Sequence, residues 1–215
     1  MKKVIFILIV TVLYGSFSLG AVAQGDKQFS KMQEKQYKSN YKRLKKEGWV
    51  AADKTFTMDF ALAKFYRALF SDESNNQQWV GHVANCKATC ADIALSDAQS
   101  RYAQQASAYV QKRVTSDMFN NESAAKLDEF KKFYAGYEIL VSKEVSGLLK
   151  QYLAIERPNK SGGKEYEIWY IINEADASNA RLRAMQRAFD ETKIAQEYAN
   201  QVAQFVREGF TQNAE

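Results

Sequence analysis

Two small constellations hold most of the residues that could do chemistry in this chain. His82 is its only histidine, and Cys86 and Cys90 are its only cysteines. On a continuous helix the three would line one face at i, i+4 and i+8. They would then offer an imidazole and two thiolates to zinc or copper, one ligand short of a closed tetrahedral site. A second reading joins Cys86 and Cys90 as a local disulfide. Regular helical geometry aims two such Cβ atoms poorly for that bond, so the pair needs a bend in the backbone. A third leaves two reduced thiols packed in a core. His82 falls in a short apolar run, Trp79 to Ala84, that reads as a strand. That weighs against the metal and leaves an ordinary surface or packed histidine. The other constellation is Glu174 and Asp176, just ahead of Ser178. Paired carboxylates at a strand end can serve as acid and base. At the start of a helix they stabilise its positive end, and that is the better fit here. The chain contains no G-x-S-x-G, no phosphate loop and no H-E-x-x-H. The sequence therefore nominates no catalytic residue, no metal ligand and no cofactor.

The elements that must position these residues follow from periodicity. Residues 24–47 read as an amphipathic helix with Tyr37, Tyr41 and Leu44 on one face. Gly48 fits its C-terminal stop, and a short extended piece follows between Trp49 and Phe56. Thr57 or Asp59 caps a helix through Phe70 with Leu62, Phe65, Tyr66 and Leu69 on its apolar side. Residues 71–76 are a polar loop. A long helix is expected from about Ala88 to Val114, with Ala91, Leu95, Ala98, Tyr102, Ala106 and Tyr109 as its stripe. After a loop from Met118 to Ser123, a further helix runs from Ala124 to about Ser146. Phe130, Tyr134, Tyr137, Val141 and Val145 form its buried face. The strongest β signal is a hairpin, with Leu149 to Arg157 and Glu165 to Asn173 flanking the turn residues 158–163. In the first strand Leu149, Leu153 and Ile155 share a side. In the second, Tyr166, Ile168, Tyr170 and Ile172 form an apolar face that needs a helical cover, and Trp169 is expected exposed at an edge. A last helix is capped by Ser178 and runs to about Glu208, with a break expected near Thr192 and a stop at Gly209. The fold class is thus α+β, a small antiparallel sheet of about three or four strands covered on one face by long helices. Residues 48–210 form one domain, preceded by a basic helical arm at 24–47 and followed by a disordered tail at 211–215.

Charge is distributed unevenly. The whole chain carries +5, and removing Lys2 and Lys3 leaves +3, too mild an excess to mark a nucleic-acid binder. Yet Lys27, Lys31, Lys35, Lys38, Lys42, Arg43, Lys45 and Lys46 share the stretch from Lys27 to Lys46 with a single acid, Glu34. A solvated helix docked by its Tyr/Leu stripe explains this pattern in part. The functional reading is contact with anionic lipid headgroups or lipopolysaccharide phosphates through Lys35, Lys38, Lys42, Arg43, Lys45 and Lys46, with Trp169 on the sheet as a second contact.

The start of the chain supplies the compartment. Lys2 and Lys3 precede an apolar run from Val4 to Tyr14, and Ala21-Val22-Ala23 has small residues where a signal peptidase requires them. The run is too short to span a bilayer as a helix. Cleavage is expected between Ala23 and Gln24, which places the two cysteines in an oxidising compartment.

Three stretches taken together resemble a known group. They are Tyr41-Lys42-Arg43-Leu44-Lys45-Lys46-Glu47-Gly48-Trp49, the Ala-rich helix after Ala84-Asn85-Cys86, and the strand–Gly162-Gly163–strand–helix ending. This pattern is similar to exported, uncharacterised envelope proteins of Bacteroidetes and, in its later part, to the Lpp-twenty-like outer-membrane lipoproteins. The resemblance covers about residues 40–192. It implies a dodecin-like α+β domain in the envelope of a Gram-negative bacterium and carries no catalytic residues. Ala21-Val22-Ala23-Gln24 lacks the cysteine that such lipoproteins acylate, so any hold on a membrane would have to come from the protein itself. The leading expectation is a non-enzymatic protein of the periplasm or outer membrane that binds an envelope protein or an anionic membrane surface, with secretion and homo-oligomerisation as open alternatives. The rivals are an envelope-polymer hydrolase using acidic residues and a metal- or redox-linked protein working through Cys86 and Cys90.

Overall fold

A computed structural model of the chain describes residues 22–70, 76–119, 124–192 and 198–209. Residues 1–21 of the expected signal peptide 1–23, most of the polar loop at 71–76, most of the loop at 118–123 and the tail 211–215 lie outside the described residues. In chain order the elements are helix α1 (Val22–Lys46), strand β1 (Val50–Ala51), α2 (Met58–Leu69), β2 (Asn76–Cys86), α3 (Cys90–Arg113), α4 (Ala124–Val145), β3 (Lys150–Pro158), β4 (Lys164–Asn173), α5 (Glu174–Thr192) and α6 (Ala199–Glu208). A π-helical turn, Val114–Met118, prolongs α3.

The four strands form one antiparallel sheet in the order β1-β3-β4-β2. This is the expected α+β architecture, with the predicted hairpin at its centre. Because β4 has a strand on either side, its alternating residues feed two separate cores. Ile168, Tyr170 and Ile172 pack with Trp79 and Val83 beneath α3, α4, α5 and α6. Trp169 and Ile171 point the other way and join Leu153 and Ile155 under Leu44, Trp49, Leu62 and Phe65. The long helices therefore cover one face, and α2 with the end of α1 covers the other. Trp169 is 2% exposed, which corrects the expectation of an edge-exposed contact. A strand apolar on both faces is one covered on both faces.

Register explains a second difference. The β3/β4 pairing shifts between Gln151 and Leu153. One extra residue in a strand reverses the faces beyond it. Leu149, expected on the side of Leu153 and Ile155, accordingly lies with the opposite core.

β2 is an edge strand, and α3 manages that edge. Its Ala94 lies so close to the strand that a Cβ on Gly81 would sit 1.8 Å from the Ala94 carbonyl oxygen. Glycine in this strand is what permits the close approach. Three residues on, the Asp97 carboxylate accepts the His82 backbone N–H at 2.9 Å. Contact at Ala94 and Ala98, rather than at the predicted Ala91, sets the buried stripe of α3, and Ala91 is exposed.

α5 is described to Thr192 and α6 from Ala199, and the break expected near Thr192 falls at residues 193–197, outside the described residues. α5 starts four residues earlier than predicted, because Asn173 and not Ser178 is its cap. The Asn173 Oδ1 accepts the backbone N–H groups of Ala175 and Asp176, at 3.0 and 3.2 Å. Asn is as good a cap as Ser, and here it also ends β4.

Candidate functional site

Cys86 closes β2 and Cys90 opens α3, and their sulfurs are bonded across a Cα–Cα distance of 5.7 Å. Thr89, between them, takes a left-handed conformation at φ 51°, which supplies the backbone bend that the spacing requires. The disulfide reading is the one the structure carries. The His82-Cys86-Cys90 ligand set is not assembled, since both thiols are spent on each other. His82 Nδ1 instead lies 3.3 Å from the Glu167 carboxylate on the neighbouring strand. Among the described residues, no group of three or more His, Cys, Asp or Glu side chains is placed to hold a metal.

The two acids at the end of β4 are not brought together. Asp176 is exposed in the first turn of α5. Glu174 turns inward and forms a 2.5 Å ion pair with Arg181, whose side chain is 1% exposed. The Arg181 guanidinium also donates to the Tyr102 hydroxyl and, at 3.4 Å, to the Val206 carbonyl in α6. Gln77 in β2 donates to the second Glu174 oxygen at 2.8 Å. Glu174 is thus the hub of a structural network joining β2, α3, α5 and α6. Burial raises the Tyr102 hydroxyl to about 12, with the nearby Arg181 charge only partly opposing that. Nothing in the sequence pattern distinguishes Arg181 from the exposed arginines Arg183 and Arg187 except its position on the Ala177/Ala180/Ala184 face of α5.

The arm is anchored rather than free. Leu44 is fully buried in the second core, and Tyr37 and Tyr41 pack against it. The Tyr37 hydroxyl donates to the Asp59 carboxylate in the first turn of α2, and Asn40 donates to the Tyr66 hydroxyl further along. The bond to Asp59, with partial desolvation, raises the Tyr37 hydroxyl to about 12. At the arm's end Gly48 takes φ 79°, and the Trp49 N–H returns to the Leu44 carbonyl at 3.0 Å. That left-handed glycine closes the helix and turns Trp49 into the core. Arg157 of β3 stacks over the Trp49 ring at 4.6 Å and donates to the Glu47 carbonyl at 3.2 Å. The Glu47-Gly48-Trp49 sequence is therefore the clamp between arm and sheet. The boundary drawn at residue 48 falls inside a packed unit.

Comparison of the chain with protein-family models, with curated proteins and with solved structures finds no match in any of the three.

With one flank docked, the arm presents its lysines on another. Lys31, Lys35, Lys38 and Lys42 follow a 4-3-4 spacing along one exposed stripe, continued by exposed Lys45 and Lys46. Glu34 pairs with Lys38 at 2.5 Å, and Arg43 with Glu47 at 3.2 Å. Among the described residues, Lys31, Lys35 and Lys42 meet no carboxylate. Of the contacts named from sequence, the structure gathers Lys35, Lys38, Lys42, Lys45 and Lys46 on the arm. Arg43 is partly engaged by Glu47. Trp169 is removed to the core, against Phe65 with ring centroids 5.2 Å apart.

A second surface feature was not nominated from the sequence. Phe56 and Phe60 are 48% and 53% exposed and stack on each other at 5.3 Å. Phe56 precedes the Thr57 cap and Phe60 lies in the first turn of α2, so both rings sit off its buried Leu62/Phe65/Tyr66 face, and no periodicity in the sequence marks them out.

Proposed function

We propose that this chain is a non-enzymatic protein of a Gram-negative envelope, and that the lysine ridge of α1 holds it to a phosphate-bearing surface, anionic phospholipid or lipopolysaccharide. The observation that carries the reading is the ridge on a helix already docked by its other flank. Like charges at i, i+4 on a helix cost about 0.2–0.5 kcal/mol per pair. Lys31/Lys35, Lys38/Lys42 and Lys42/Lys46 all have that spacing. Folding gains nothing from this arrangement, whereas a juxtamembrane or surface-lying basic helix gains about 1 kcal/mol per cation near an anionic leaflet. The signal peptide and the resemblance to exported envelope proteins support the same compartment. Among the described residues no helix is long and apolar enough to cross a membrane, so peripheral attachment is the mode proposed.

The test is fractionation of an exporting Gram-negative host. Removing residues 24–47 would also strip Leu44 and Tyr41 from the core, so the informative variant replaces Lys31, Lys35, Lys38 and Lys42 by Gln. The wild type is expected in the membrane fraction and to be released by high salt, with the variant in the soluble periplasmic fraction. Equal distribution of the two would refute the ridge's role.

A further inference from the structure

We propose that Phe56 and Phe60 are an interfacial anchor that enters the headgroup region of an anionic phospholipid bilayer. This deepens, and rests on, the reading of the arm as a contact for anionic surfaces.

Four observations converge on it. First, among the described residues the two rings are the largest adjacent apolar side chains left in solvent, each about half exposed and stacked at an interplanar angle of 14°. Scattered exposed apolar residues are ordinary, but a stacked pair at one projecting corner is a patch. Second, the corner is pre-formed. Asp53 Oδ1 accepts the Thr55 N–H at 2.9 Å, the Asp53 carbonyl accepts the Phe56 N–H at 3.4 Å, and Thr57 Oγ1 caps α2 through the Phe60 N–H at 3.3 Å. A wedge held this way loses little conformational entropy on insertion. Third, its surroundings are cationic on balance. Lys54, Lys64 and Arg67 are exposed around it. Its two acids, Asp53 and Asp59, accept hydrogen bonds from Thr55 and the arm's Tyr37 and keep their charge, so three cations against two anions leave a net charge of about +1. Phe beside Lys and Arg is the composition of a surface that lies in the headgroup layer. Fourth, the Tyr37–Asp59 bond joins the residue next to Phe60 directly to the arm that carries the ridge.

The groove behind the rings fits the same occupant. Phe56, Phe60, Ala61, Leu153 and Ala154 border a hollow of about 140 Å³ with Lys64 at its rim. That is room for a short length of acyl chain beside a cation.

The experiment uses the mature full chain with vesicles of phosphatidylglycerol and, separately, of phosphatidylcholine. A double variant, Phe56→Ser with Phe60→Ser, removes the wedge and leaves every lysine in place. Both sites are solvent-exposed, and an unchanged urea midpoint verifies that the fold is intact. The double variant is expected to bind phosphatidylglycerol vesicles roughly ten- to a hundred-fold more weakly while keeping the wild-type salt dependence. Phe60→Trp is expected to restore binding, and its added fluorescence is expected to be quenched by lipids brominated near the headgroup end of the acyl chain. Binding of the double variant equal to wild type, or no quenching of bound Phe60→Trp, overturns the anchor and leaves the ridge reading standing. Failure of the wild type to bind phosphatidylglycerol vesicles overturns both. Concentration-dependent self-association that the double variant abolishes overturns the anchor in favour of a second copy of the chain.

Discussion

Arg181 and Glu174 allow a quantitative test of how this domain is held together. Removing either partner of a buried ion pair costs about 3–5 kcal/mol, because the survivor keeps its desolvation penalty. The two partners here are not equivalent. The Arg181 side chain is 1% exposed and Glu174 21%. Arg181→Met leaves a carboxylate that can turn toward water and still accept from Gln77, so its cost falls near the lower bound, about 3 kcal/mol. Glu174→Ala deprives an enclosed guanidinium of its 2.5 Å carboxylate, so its cost falls near the upper bound, about 5 kcal/mol. The double variant removes both charges and should cost less than the sum by at least about 1 kcal/mol, as contacting pairs do. Urea denaturation reads all three. With m of about 1–3 kcal/mol/M, single costs of about 3–5 kcal/mol should lower the midpoint by about 1–5 M at unchanged m. Additive single costs, or an Arg181→Met cost below about 1 kcal/mol, would refute the assignment of the pair as the buried hub.

Three further outcomes follow from the same structure. Gly81→Ala should be among the most damaging methyl additions in the chain, costing about 3 kcal/mol or more by urea denaturation, because the Ala94 backbone cannot recede from a Cβ 1.8 Å away without moving α3 off the sheet. Iodoacetamide mass mapping of the protein should label Cys86 and Cys90 only after reduction, and replacing both by Ser should cost about 2 kcal/mol for so short a loop. Alkaline titration should show late tyrosines. Tyr37, Tyr102 and Tyr170 are all raised to about 12, by the Asp59 bond in the first case and by burial in the other two. Hydroxyls raised in the folded state stabilise it fully below pH 10, and that stability drains away as pH rises from about 10 toward 12. Tyrosinate absorbance from Tyr102 and Tyr170 should therefore appear late and with loss of structure, and their ionisation at pH 10 in the folded protein would contradict their placement.

Much of the architecture was legible because the relevant signals are local. The 3.6-residue stripes of α3 and α4, the turn residues between β3 and β4 and Gly48 as helix stop all act within a few positions of themselves. What was missed depends on partners distant in sequence. Trp169 reads as exposed when β4 is taken as half of a hairpin. It becomes buried only because residues 58–69, a hundred positions earlier, fold back as α2 over that face. Leu149 changes core because of a single bulge, which no alternation of hydrophobic residues announces. Arg181 shares its helix with two exposed arginines, and only the arrival of Glu174 and Tyr102 makes its burial tolerable. For the surface the pattern was mixed. The lysine ridge could be read from spacing alone, since a helix docked by Tyr37, Tyr41 and Leu44 must show its lysines to solvent. The Phe56/Phe60 wedge could not, since an i, i+4 aromatic pair ordinarily marks a core face.

The most direct test of the central claim is the partition of the mature protein onto phosphatidylglycerol vesicles as a function of salt, beside the variant with Lys31, Lys35, Lys38 and Lys42 changed to Gln. At about 1 kcal/mol for each cation near an anionic surface, the four substitutions should weaken binding by roughly two to three orders of magnitude. Wild-type binding should fall steeply with salt and be negligible on phosphatidylcholine. Affinity unchanged within about threefold, or wild-type binding indifferent to salt and lipid charge, would contradict the proposal that the docked arm of this protein is its hold on the envelope.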